Sequence, residues 1–205
     1  MASEGRIQLE RWVKSLDIKA DRVLDVGGSQ LPIEGRTNSW DVKEYLISDI
    51  EEPHHCKRKP DLVFDLNKLV FFTRKGSTNQ DVGIEQMEKS DIVFCLEVTE
   101  YLYDPMMAMR NLANFLKDGG TLYISFQFSY GVHPPAGVDY LRYTRFGAVK
   151  LLEEAGFQID EIVARTCQMN TGYPEYMNFM SKQRMRYDKS YPHMETGFMI
   201  KAKKL

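Results

Sequence analysis

Val23-Leu-Asp-Val-Gly-Gly-Ser-Gln30 is an apolar run that breaks into paired glycines, and an acid follows at Asp49, directly after a second apolar run, Tyr45-Leu-Ile. Glycines at a strand end let the backbone approach a ligand without Cβ interference, and a carboxylate ending the next strand can accept hydrogen bonds from ribose hydroxyls. Together these features read as the nucleoside site of an α/β sheet. Gly27-Gly28-Ser29-Gln30-Leu31-Pro32 does not complete Gly-x-Gly-x-x-Gly, so a nicotinamide-dependent oxidoreductase is disfavoured.

Outward from this stretch, strands and helices alternate. Strands are expected at 22–26, 45–49, 62–64, 91–96, 121–126, 157–163 and 196–202. Residues 4–17 carry Ile7, Leu9, Trp12, Val13 and Leu16 near helical spacing. A second helix starts at the N-cap Asp104 with Pro105 in first position and stops at Asp118-Gly119-Gly120. Thr144 caps a third, with Ala148, Leu151, Leu152 and Ala155 on one face, and Gly156 ends it. Pro32 and Gly35 leave no full helix between the first two strands, and residues 73–90 read as a polar surface extension. The alternation implies a parallel sheet with helices on both faces, in one domain spanning residues 1–205.

With 43% hydrophobic and 27% charged residues, the composition is that of a globular chain. A net charge of −2 gives no global attraction to nucleic acid or anionic membrane. Lys57-Arg58-Lys59 and the Lys201 to Lys204 stretch are short enough to read as solvated surface. No apolar run approaches the roughly 18 residues of a membrane span, and the N-terminus lacks a signal-peptide core, so a cytoplasmic location is expected. Cys56, Cys95 and Cys167 have no Cys-x-x-Cys spacing, which argues for reduced thiols and against a structural zinc site. His54, His55 and Cys56 lack a suitably spaced fourth ligand, so no metal is expected.

Ligands of an open parallel sheet bind beyond the C-terminal strand ends, where this chain carries Gly27-Gly28, Asp49, Asp65 and Cys95-Leu96-Glu97. Taken together, these positions resemble the class I S-adenosylmethionine-dependent methyltransferases. Leu24-Asp-Val-Gly-Gly resembles that family's first motif, and Asp49 its ribose-binding acid. Pro60-Asp-Leu-Val-Phe-Asp-Leu66 is similar to its adenine-binding stretch, and Asp91 to Leu102 to its fourth motif. Leu116-Lys-Asp-Gly-Gly-Thr-Leu is similar to the turn into strand five. His133, Asp139-Tyr-Leu-Arg-Tyr-Thr144 and Leu151 to Phe157 resemble a methyltransferase type 11-like branch with His-x-x-Pro-x-Asp-Tyr-x-Arg-Tyr-Thr after strand five.

The resemblance implies a Rossmann-like, doubly wound, mostly parallel seven-stranded sheet whose last strand is antiparallel. It implies S-adenosylmethionine as cofactor, held by Asp25, Gly27, Gly28, Ser29, Asp49, Ile50, Asp65, Leu66, Cys95 and Leu96. Asp25 would fix the loop and the methionine amino group, Asp49 the ribose, and Asp65 with the Leu66 amide the adenine. Ser29 departs from the family's glycine and would approach the methionine part of the cofactor. Tyr101 stands where many relatives carry His.

Methyl transfer is a direct displacement, so the protein aligns acceptor and methyl and can remove a proton. Candidate catalytic or acceptor-positioning residues are Glu97, His133, Tyr140 and Arg142, with Asp139 beside them. His133 is either catalytic or a loop histidine packed on prolines; Arg142 either pairs with Asp139 or binds an anionic acceptor. Residues 130–145 and the Met- and Tyr-rich Met169 to Met194 stretch are expected to line the acceptor pocket, the latter alternatively covering the sheet or a homodimer surface. Cys95-Leu-Glu-Val replaces the Asn/Asp-Pro-Pro-aromatic run of DNA amino-methyltransferases, which places a small-molecule or saccharide-like acceptor ahead of nucleic acid. The competing reading is a non-catalytic cofactor-binding or interaction protein that keeps the fold.

Overall fold

The computed structural model describes residues 3–73, 83–85, 88–133, 135, 137–166 and 195–205. Helix α1 (Glu4–Lys14) precedes strands β1 (Asp17–Val26), β2 (Ser39–Asp49), β3 (Leu62–Val63), β4 (Phe71–Thr73), β5 (Gly83–Glu85) and β6 (Ser90–Cys95). Then follow a 3-10 turn (Thr99–Tyr101), α2 (Pro105–Phe115), β7 (Leu116–Gln127), α3 (Arg145–Glu154), β8 (Phe157–Thr166) and β9 (Glu195–Lys204).

Seven strands form one sheet in the order β3-β2-β1-β6-β7-β9-β8. The pairs from β3 to β7 are parallel, and β9 is antiparallel to both β7 and β8. This is the Rossmann-like α/β sheet with an antiparallel last strand. Chain order reverses between β1 and β6, which opens a crevice at their C-terminal ends.

Side-chain alternation sorts the strand residues onto two cores. Leu24, Val26, Val93, Cys95, Leu122, Ile124 and Ile200 face α2 and α3, joined by Met109, Leu112 and Leu152. Val23, Ile92, Phe94, Tyr123 and Met199 face the other way, onto Leu9, Trp12 and Val13 of α1. Asp104 Oδ1 accepts from Met107 N at 3.0 Å, and Thr144 Oγ1 from Gly147 N at 3.1 Å, as N-caps should.

Several elements differ from the expected bounds. The first helix stops at Lys14, with Ser15 as C-cap, and β1 begins at Asp17 rather than residue 22. Its added half carries exposed cross-strand ion pairs, Lys19 with Asp41 and Lys43 with Asp21, next to Arg22 with Glu44, and pairs along its length with β2. The second helix ends at Phe115, since Leu116 already pairs with Ser90; the Asp118-Gly119-Gly120 stretch lies within β7, Gly119 at φ 74°. Within the expected extension at 73–90, β5 pairs in parallel with β4, which ends where the extension begins. The crossovers 27–38 and 50–61 contain only turns and bends, so the α1 face carries a single helix among the described residues. The Met169 to Met194 stretch and Cys167 lie outside the described residues.

Candidate active site

The turn after β1 is built around Asp25. Its buried carboxylate accepts from Ile33 N at 2.8 Å and from the Tyr45 hydroxyl at 2.7 Å, which draws the 27–33 loop down onto the sheet. Burial pushes this carboxyl up to about 6, against the pull of those two donors. Gly28 lies directly above it: a Cβ there would sit 2.6 Å from the carboxylate. Gly27, at φ 75°, donates its N–H to Ser48 O at 2.8 Å, and a Cβ there would lie 2.4 Å from Val98 Cγ2. Both glycines are therefore sterically required.

Asp49 stands at the end of β2 and receives Ser29 N at 3.2 Å on Oδ2 and Ile50 N at 2.9 Å on Oδ1. Those bonds fix the carboxylate and leave lone pairs for two further donors. Asp65, 29% exposed, accepts from Asn67 N at 2.9 Å and Asn67 Nδ2 at 3.0 Å. Asn67 Oδ1 in turn receives Tyr103 N and Asp104 N, and buried Asn111 ties the same loop to α2 through Leu66 O and Lys68 O.

These residues border adjoining cavities at the C-terminal strand ends. A cavity of about 220 Å³ takes Ile50, Asp65, Leu66, Asn67 and Tyr140 along its walls. One of about 520 Å³ takes Gly27, Asp49, Glu97, Glu100, Tyr101 and His133. A smaller one of about 150 Å³ contains Asp25, Gly28, Arg6, Arg36, Lys57 and Leu96. A glycine turn, a fixed carboxylate, an apolar slot bordered by an acid and a recess bordered by cations thus adjoin one another at the strand ends. The residues present fit S-adenosylmethionine. Two expected cofactor contacts lie apart from the cavities: Ser29 is fully buried, with Lys57 N and Arg58 N donating to its carbonyl, and the Cys95 thiol is enclosed in the core, where burial raises its pKa.

On the other wall, Glu97 has φ 59°, a left-handed conformation uncommon outside glycine and held here by its contacts. Its carboxylate receives the Ser125 hydroxyl at 2.9 Å, Gln127 Nε2 at 3.0 Å and the Arg165 guanidinium. Burial favours the neutral acid, yet Arg165 and Ser125 outweigh it and hold Glu97 below the usual carboxylate range. The Tyr101 hydroxyl is hydrogen-bonded to His133 Nδ1, and the His54 ring lies 5.5 Å from that of Tyr101. Tyr140 is exposed and packs edge-on against Tyr103.

Arg142 does not face an acceptor. Its guanidinium gives Nη1 to Asp139 and Leu141 O, Nη2 to Asp139 and Gly131 O, and Nε to Tyr130 O. All five N–H groups are engaged, so the ion-pair reading holds and anion binding has no donor left. Asp139 also receives His133 N at 2.5 Å, so the pair clamps the 130–142 loop and places His133 in the cleft.

Glu100, Arg165, Asn67 and Arg6 were not singled out from the sequence. Glu100 had a signal, a second acid one helical turn after Glu97. Arg165 was hidden because β8 was expected to end at 163, two residues short of it. Among the described residues no cluster of His, Cys, Asp and Glu could hold a metal ion, and no helix is long and apolar enough to cross a membrane.

This sheet order and ligand crevice are those of the S-adenosylmethionine-dependent methyltransferase fold. Residues 44–124 match the family model described as a methyltransferase domain. A structure of an S-adenosylmethionine-dependent methyltransferase from Mesorhizobium loti aligns with TM-score 0.58 and 13% identity, covering 98% of both chains. The [4+2]-cyclase SpnF aligns with TM-score 0.55 and 18% identity over 96% of this chain and 80% of its own. Among curated proteins, a ubiquinone biosynthesis O-methyltransferase of Xanthomonas campestris pv. campestris (strain B100) is 41% identical over 46 residues. That match spans 22% of this chain and 19% of the relative, so the chain spans about a fifth of the length of the curated relatives it matches.

Proposed function

We propose that this chain is an S-adenosylmethionine-dependent methyltransferase acting on an oxygen or nitrogen nucleophile of a small-molecule or saccharide-like acceptor. The observation that carries the reading is Asp49, fixed by two backbone donors and facing the same cleft as the Gly27-Gly28 turn. Bound cofactor supplies an electrophilic methyl on a cationic sulfur. Asp49 would receive the ribose hydroxyls and Asp65 with the Leu66 amide the adenine edge, while Asp25 acts from beneath by holding the loop.

The acceptor would enter past Tyr140, Tyr130 and His133, where Glu97 and the Tyr101–His133 pair supply acceptors for its proton. The small-molecule choice is supported by the short likeness to the ubiquinone enzyme, and the saccharide-like one by the type 11-like pattern from His133 to Thr144. Titrating the protein with S-adenosylmethionine, S-adenosylhomocysteine and NAD in a calorimeter, then screening metabolite pools with methyl-labelled cofactor, tests the proposal. Preference for NAD overturns it. Cofactor binding with no labelled product favours the non-catalytic alternative.

A further inference from the structure

Glu97 and Glu100 line the cleft of about 520 Å³, the enclosed Asp139 acts on Glu100 from behind it, and of these three acids two have a cation of their own. Glu97 is paired with Arg165 of β8, and Asp139 is gripped by both Nη atoms of Arg142 at 2.5 and 2.6 Å. Glu100, in the turn after β6, is 2% exposed and lines the cleft, and its Oε2 has no hydrogen-bond partner among the described residues. The ionisable groups facing it are Glu97, Arg165, Asp139, Arg142, Tyr101, Tyr143 of the 128–144 segment and Cys95 of β6. Both arginines are bonded to other acids and Arg165 acts on Glu100 only across space, so the cleft, which Arg6, His54 and His133 also line, carries an enclosed carboxyl with no cation among the described residues bonded to its Oε2.

A buried carboxyl beside a like charge favours its neutral form. Burial first and Glu97 second push Glu100 up to about 7. A cation entering the cleft reverses that preference. The proposed donor and its product differ by one such charge, because the sulfonium is cationic and the thioether left after methyl transfer is neutral.

We propose that Glu100 is the counter-ion of the sulfonium, ionised when the charged donor is bound and titrating as in the empty cleft when the neutral thioether is, so that the site tells donor from product by charge. The inference rests on the S-adenosylmethionine reading. No covalent bond to Glu100 is made or broken. Its proton leaves to solvent when the cation binds and returns after transfer, since the electron pair of the broken S–CH3 bond stays on sulfur and cancels the charge. Donor affinity accordingly rises as pH rises through about 6 to 8, while product affinity stays flat.

The experiment is calorimetric titration of the full chain with S-adenosylmethionine and with S-adenosylhomocysteine near pH 7, in two buffers of different ionisation enthalpy. About half a proton should be released per donor bound and none per product, as linkage requires for a group titrating there. Glu100→Gln, close in size and fixed in charge, should abolish the release and cut the donor-over-product preference by roughly tenfold. Equal proton counts for the two ligands in the unaltered protein overturn the inference without recourse to the variant, as does release that persists in Glu100→Gln. Failure of both ligands to bind overturns the cofactor reading instead, and this inference with it.

Discussion

Asp25, Gly28 and Tyr45 form a stack in which each residue dictates the next. The carboxylate takes the Tyr45 hydroxyl and the Ile33 amide, and Gly28 passes above it with no room for a methyl group. Gly28→Ala should therefore lose cofactor binding in calorimetry and lower the melting temperature together, because relieving a 2.6 Å contact must move either the carboxylate or the turn. Asp25 also carries a pH signature. Its folded pKa, about 6, lies above the ordinary 3.8, so the folded state holds its proton where the unfolded chain has released it. That contribution is complete below about 4 and is lost as pH rises through 6, at most about 3 kcal/mol. Asp25→Asn, which keeps an acceptor for both donors, should gain stability relative to the unaltered chain across this window in denaturant unfolding; a difference that does not change with pH would count against the assignment. Asp49→Ala should weaken S-adenosylmethionine binding at least about tenfold, since charge-assisted hydrogen bonds contribute about 1.5–3 kcal/mol each. Asp25, Gly27, Gly28 and Asp49 were legible as a pattern because turn chemistry and strand ends are local. That Ser29 turns inward was not, because its burial depends on the 53–58 loop closing over it.

Helices announced themselves by caps, strands only by their buried halves. Thr144, Asp104 and Gly156 marked helix ends correctly because capping is a contact within four residues. The outer half of β1 and the end of β8 were missed because their polar residues are stabilised by partners on other strands. Arg165 is the costliest omission: three more residues of β8 carry its guanidinium to Glu97, and with it the electrostatics of the acceptor wall. Arg142 ties the two ends of the 130–142 segment together, beside the bonds of Tyr140 N and Leu141 N to Glu100 O, and its partner Asp139 has a side chain 1% exposed. Removing the guanidinium leaves that carboxylate enclosed with its strongest donors gone, and Arg142→Ala should cost roughly 1–3 kcal/mol of stability. Hydrogen exchange should rise across 130–142 and cofactor affinity should stay, with methyl transfer lost once an acceptor is known. Arg142→Lys should rescue little, since one ammonium cannot reach Asp139 and three carbonyls at once. Undisturbed exchange in Arg142→Ala would remove the clamp.

At the scale of the molecule, the alternation of strands and helices was sufficient to read an α/β sheet, and the seven strands with an antiparallel last one followed from the family resemblance rather than from any single residue. Pro32 and Gly35 marked the first crossover, 27–38, as lacking a full helix; what no local pattern carried was the second, 50–61, which also packs as turns, so the face covered by α1 depends on Leu9, Trp12 and Val13 for its core. The sheet lies between the two cores and contributes alternate residues of the same strands to each, so neither core can melt while the other keeps its strands. Thermal unfolding should therefore be one transition. Trp12 of α1 and Trp40, edge-on to Tyr45 on β2, both belong to the α1-side core and report that face by fluorescence, and far-UV circular dichroism reports the whole. The cleft spans strands from both sides of the β1–β6 reversal, so ligand binding should stabilise this unit as a whole. S-adenosylmethionine at a hundredfold excess over Kd adds about 2.7 kcal/mol by mass action, and a chain of this size gains roughly 2–4 °C per kcal/mol. The midpoint should thus rise by roughly 5–10 °C, equally by both probes. A shift seen by circular dichroism but not by tryptophan fluorescence would mean that the α1 face unfolds independently of the cofactor cleft.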